Sequence, residues 1–240
     1  MKYLKQRFGI RHINFYDDQF TFNRKRLEAF AALMSARPLG MTFNCAVRAE
    51  HIDEQLMRLM KASGCWMVSL GIESGDQDLL AHHRQNPNLD MLAGKIRMLK
   101  AAGLRTKGLF MIGLPGESER SFRRTMDYAA SLPLDEVNLA KFTPFPGSPI
   151  YERIKSDPSL GEFNEDWERM DCMNFQFVPR GMVRETLDRL FSEFYKAHFT
   201  RPRTMFNYFT MMWKSPDSYR RFFLNFADFI RFATSNKRLK

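Results

Sequence analysis

The chain has 240 residues, 44% hydrophobic and 27% charged, an ordinary globular balance with enough apolar material for a sizeable core. No stretch approaches the about 18 apolar residues of a membrane span, and the opening MKYLKQRFGI lacks the apolar segment of a signal peptide. Net charge is +10, and ten Lys or Arg against two Asp between Phe194 and Lys240 place +8 of it in the tail.

The predicted elements alternate along the chain. HINFY (12–16) reads as a strand before a helix near 22–36, and MTFNCAV (41–47) as a strand before a helix near 52–62. WMVSLGI (66–72) precedes helices near 76–83 and 89–102. RTKGLFMIG (105–113) precedes a helix near 118–131, and EVNLAKF (136–142) runs into the turn-rich TPFPGSP. Asn23, Asp53 and Ser118 stand where N-caps belong. Five strand–helix units with continuous apolar strands predict a parallel sheet covered by helices, closed as a barrel or open. By composition, residues 1–155 form this α/β domain, 156–181 a connecting segment, and 182–240 a basic, aromatic helical extension.

Polar residues and glycines gather after the strands, at the edge where parallel α/β folds bind ligands. The alternative is that they serve only as turn residues. Glu73 and Ser74 in GIESG could accept hydrogen bonds from a vicinal diol such as a ribose; Ser74 fits a helix N-cap equally well. Gly113, Pro115 and Gly116 in GLFMIGLPGE leave backbone exposed for the edge of a flat base. Glu117 opens a helix, where the helix dipole favours a negative charge. Asp17 and Asp18 in FYDDQF could hold a substrate, a cation or a basic side chain such as Arg48. Neither a G-x-x-x-x-G-K-[ST] loop nor a G-x-G-x-x-G opening is present, which argues against triphosphate and dinucleotide sites. Cys45, Cys65 and Cys172 are too widely spaced for a metal site or a disulfide framework, so reduced thiols of a cytoplasmic protein are expected. No protein metal site is expected.

In the tail, Phe222, Phe226, Phe229 and Ile230 fall on one helical stripe. Such a stripe covers neighbouring structure in most proteins. The functional alternatives are a substrate lid or peripheral contact with an anionic membrane. Nucleic acid ranks lowest, since no binding module is present.

Five stretches taken together, NFYDDQFTFNRKR, FNCAVRAEHID, MKASGCWMVSLGIESGDQ, KAAGLRTKGLFMIGLPGESERS and NLAKFTPFPGSPIY, resemble the radical S-adenosylmethionine (SAM) superfamily. Similarity is greatest to members with a cobalamin-binding domain, such as anaerobic magnesium-protoporphyrin IX monomethyl ester cyclases, and it runs from about residue 4 to 155. The resemblance implies a partial TIM-like (βα)6 barrel, of which this chain carries the second to sixth strands, plus the C-terminal helical extension. It implies SAM cleaved reductively at a 4Fe-4S cluster to a 5′-deoxyadenosyl radical that abstracts hydrogen from a small-molecule substrate. Cobalamin belongs to the full-length family, as does a reductant of flavodoxin or ferredoxin type. Carried onto this sequence, Glu73 and Ser74 fall at the ribose and methionine part of SAM. Gly113, Pro115, Gly116 and Glu117 fall at the adenine, and Arg48 near the SAM carboxylate or the substrate. The family's C-x-x-x-C-x-x-C cluster motif has no counterpart among the three cysteines. The expectation is an N-terminally truncated form, inactive alone, or a non-catalytic remnant or subunit that binds an adenosyl compound or a partner protein.

Overall fold

The protein is described by a computed structural model covering residues 1–17, 20–211, 223–228 and 230–231. The elements run α1 Lys2–Phe8, β1 His12–Asn14, α2 Arg24–Ala36, β2 Thr42–Val47, α3 Glu54–Ala62 and β3 Cys65–Glu73. They continue with α4 Gln77–His83, α5 Leu89–Ala101, β4 Arg105–Ile112, α6 Glu119–Ser131, β5 Glu136–Lys141 and α7 Pro149–Ser156. The last are β6 Gly161–Phe163, β7 Phe177–Pro179, α8 Arg184–Phe199 and α9 Pro202–Met211. Strands β1 to β5 form one sheet in sequential order, and a helix joins each strand to the next. That topology is the parallel α/β arrangement the sequence predicts. All five sheet strands and their helices lie within two residues of their predicted ends.

The chain groups into two compact units that interleave in sequence. One comprises Met1–Glu73, Gln85–Leu109 and Ser131–Asn138; the other comprises Ser74–Arg84, Phe110–Ala130 and Leu139–Lys240. The sequence boundaries near 155 and 181 mark changes of composition.

In the first unit, β2 pairs in parallel with β1 (Ile13 with Phe43) and with β3 (Cys45 with Val68, Val47 with Leu70). Phe15, Phe20, Phe30 and Phe43 cluster between β2 and α2; Phe15 meets Phe30 and Phe43 edge-on, as Phe20 meets Phe30, so that a positive ring edge faces a negative ring face. Asn23, Asp53 and Asn88 each accept a backbone N–H three residues ahead, at 3.0, 2.7 and 2.8 Å, and so start α2, α3 and α5. At the start of β4 the buried Asp135 carboxylate accepts the Thr106 N–H at 2.9 Å and the Lys100 ammonium at 2.6 Å.

In the second unit, Leu79, Leu114, Phe142, Ile154 and Phe177 form a core cluster. The connection read from composition contains an antiparallel pair, β6 with β7 (Glu162 opposite Val178). Helix α8 is tied to β5, because the Tyr195 hydroxyl accepts the Leu139 N–H at 2.9 Å. Arg201 donates to the Ala129 and Ala130 carbonyls at the end of α6. Residues 223–228 and 230–231 are helical, and Phe226 and Ile230 are each 43% exposed. Phe222 and Phe229, the other members of the predicted stripe, lie outside the described residues. No helix among the described residues is long and apolar enough to cross a membrane.

Candidate functional site

In the first unit, Glu73 closes β3 with φ at +65°, left-handed backbone that a non-glycine residue enters only at a cost. Its carboxylate folds back over the strand, so that a Cβ placed on Gly71 would lie 2.9 Å from Oε1. Sequence reading had no signal for this strain. Arg48, after β2, faces Glu50 at 3.5 Å. Asp17 lies 3.4 Å from Arg26, so its cationic neighbour comes from α2 and is not Arg48. Asp18 lies outside the described residues.

In the second unit, Ser74 is fully buried, and its hydroxyl pairs with Thr125 Oγ1 at 2.9 Å and accepts the Asp76 N–H at 3.1 Å. Helix α4 is capped instead by Asp76, whose Oδ1 accepts the Asp78 and Leu79 N–H groups at 3.0 and 3.1 Å. Ser74 therefore ties the strand exit to α6, and the cap lies two residues later. Gly75 sits against α6 so closely that a Cβ would fall 2.5 Å from Tyr128 Cβ. Thr125 and the close approach at Gly75 escaped sequence reading because their partners lie about 50 residues away in the chain. Asp76 was legible in principle, since an aspartate stands at the first position of the predicted helix.

The stretch GLPGE forms a tight turn after β4. Gly113 and Gly116 have φ of +92° and +82°, which explains why both are glycine. Glu117 is 1% exposed; its Oε2 accepts the Gly113 N–H at 2.5 Å, and its own N–H donates to the Leu114 carbonyl at 2.9 Å. Burial pushes the Glu117 carboxyl up to about 8, against the pull of the Gly113 and Leu114 N–H groups. Oε1 is buried and has no hydrogen-bond partner among the described residues. Glu117 therefore holds the turn from within; Gly113 and Pro115 are buried as well, their backbone groups taken by Glu117 and His83, so of the backbone expected to lie open only Gly116 is exposed.

Residues 1–129 match the family described as the Radical SAM superfamily. The chain belongs to that superfamily. An uncharacterized methyltransferase of Pyrococcus horikoshii is 25% identical over 202 residues, covering 84% of this chain and 44% of the relative. The anaerobic magnesium-protoporphyrin IX monomethyl ester cyclase of Rubrivivax gelatinosus is 28% identical over 181 residues, covering 74% of this chain and 32% of the cyclase. Among solved structures, the radical SAM methyltransferase TsrM of Kitasatospora setae, with cobalamin and a 4Fe-4S cluster bound, aligns with a TM-score of 0.57. That match has 18% identity over 67% of this chain and 31% of TsrM. The α/β fold with its five-stranded sheet is thus the partial TIM-barrel class of the radical SAM superfamily, and this chain is radical SAM catalytic-domain material. It spans less than half the length of these relatives.

Superfamily membership implies SAM and a 4Fe-4S cluster, and the cysteines test the second. Cys45 and Cys65 are buried in neighbouring strands. The Cys45 thiol is pushed above its usual range by its hydrogen bond with Cys65 and by burial. Cys172 stands alone and exposed. Among the described residues no group of three His, Cys, Asp or Glu could hold a metal ion. The residues present do not fit a cluster. For SAM the first unit offers a strained strand-end carboxylate at Glu73.

Proposed function

We propose that this chain supplies SAM-binding elements of a radical SAM catalytic domain, with Glu73 directed to the ribose. The observation that carries the reading is the positive φ at Glu73, on a carboxylate at the ligand edge of a parallel strand. Left-handed backbone at a glutamate costs stability, and substrate contact gives a reason to keep it. Ser74 acts by position, its buried hydroxyl holding the chain that leaves Glu73.

The test is anaerobic calorimetric titration with S-adenosylhomocysteine, which binds without redox chemistry. Saturable one-to-one binding is expected, weakened about tenfold or more in Glu73→Gln, as for loss of a charge-assisted hydrogen bond. Equal affinity in wild type and Glu73→Gln would remove Glu73 from the site.

The cysteine geometry favours a second reading for this chain by itself: adenosyl binding without turnover. Reductive cleavage of SAM needs cluster ligands that Cys45, Cys65 and Cys172 do not provide. With SAM and a strong reductant under anaerobic conditions, the chain is expected to yield no 5′-deoxyadenosine above the protein-free control. Turnover would overturn that reading. The substrate and any use of cobalamin stay with the resemblance to cobalamin-type relatives.

A further inference from the structure

The second unit contains a half-open cavity of about 390 Å³ bordered by Pro115 and Gly116 of the glycine turn. Four basic side chains line it: His82 and His83 from α4, Arg124 from α6 and Arg153 from α7. Two acids line it as well. Asp76 is 4% exposed, with Oδ1 occupied in capping α4 and Oδ2 receiving Arg124 at 3.0 Å. Asp76 thus offsets and aims one guanidinium. Asp78 reaches Arg124 at only 3.8 Å and is 89% exposed on its side chain, where water screens it.

Arg153 has no acidic group within ion-pair distance among the described residues. Asp157, one turn on, feels its charge from further away. The His83 Nε2–H donates to the Pro115 carbonyl at 2.7 Å and the His82 Nδ1–H to the Asp78 carbonyl at 2.7 Å. These bonds settle both tautomers. Burial lowers the His83 pKa first, the bond to Pro115 opposes it, and the nearby Arg153 charge lowers it further. Leu79, Pro115 and Leu160 supply apolar wall.

We propose that this cavity is a binding site for a small molecule carrying a phosphate group. Arg153 and Arg124 would meet the phosphate oxygens, the His83 ring would take up a proton at Nδ1 as the phosphate binds, and the carbon body would pack on Leu79 and Leu160. A guanidinium with no carboxylate partner, two imidazoles fixed by backbone carbonyls and an apolar wall suit such a ligand. The site is built without Glu73.

The experiment follows the His83 ring by nitrogen-detected NMR through a pH titration, in chloride and in inorganic phosphate at equal ionic strength. Phosphate is expected to raise the His83 pKa saturably, by at least about half a unit, as a bound anion favours the charged ring. Arg153→Gln, at an exposed position, is expected to raise the His83 pKa in chloride and to weaken the phosphate response at least about fivefold. Unchanged circular dichroism would verify its fold, and His82→Gln gives a second, independent loss. No saturable shift in phosphate, or the same affinity in Arg153→Gln, would overturn the proposal. Saturating S-adenosylhomocysteine should leave the response intact; displacement would make the cavity part of the SAM site and also overturn it.

Discussion

Glu73 and Glu117 are both carboxylates just past strands, and their surroundings separate them. Glu73 is half-buried on strained backbone, while Glu117 is sealed in and braces a turn. Replacing Glu73 with glycine removes the backbone strain and the carboxylate together. Glu73→Gly is therefore expected to melt no lower than wild type while losing adenosyl binding, a pairing that calorimetry and titration would check. Glu117 makes a pH prediction. Its folded pKa, about 8, lies above the ordinary glutamate value of 4.5, so the folded state binds more protons between those limits. Its contribution is fully present below about 4.5 and is lost as pH rises to about 8, a decline on the order of a few kcal/mol. His83 works oppositely, because its lowered pKa costs stability as the pH falls. The difference between wild type and Glu117→Gln isolates the glutamate, and denaturant melts should show that difference changing between pH 5 and 8 and level above. A pH-independent difference would mean Glu117 stays ionised.

Among elements, the joint between the β3 exit and α6 is the most tightly specified in the second unit. Ser74, Gly75 and Thr125 meet there with no spare volume. Gly75→Ala would drive a Cβ into Tyr128 and the Thr125 backbone, and is expected to cost about 2–4 kcal/mol in urea denaturation. Asp76→Ala removes the α4 cap and the partner of Arg124 together. A loss of about 1–2 kcal/mol is expected, with Asp76→Asn recovering most of the capping share. The strands and helices were legible from apolar runs and cap residues, since both signals are local. Ser74 was ambiguous between ligand contact and cap, and its nearest partner, Thr125, lies 51 residues away. No local pattern announces such a pair.

For the whole molecule, charge is the feature that the α/β fold does not absorb. The segment from Phe194 to Lys240 carries net +8, and Phe206, Phe209, Phe223 and Leu224 are more than half exposed there. Basic charge beside exposed aromatics suits an anionic lipid surface. Co-sedimentation with phosphatidylserine vesicles is expected at low salt and reversal at high salt, with loss on deleting residues 200–240; equal binding by the deleted form would remove the tail from the interaction.

The amino-acid sequence by itself determined the succession of strands and helices, the glycines of the GLPGE turn and the lack of a cysteine triplet. Each depends on neighbours a few residues apart or on composition alone. Tertiary structure decided the rest: the strain at Glu73, the inward role of Glu117, the burial of Ser74 against Thr125, and the meeting of His82, His83, Arg124 and Arg153 around one cavity. Those properties depend on desolvation and on contacts between distant segments, which exist only once the chain has closed on itself.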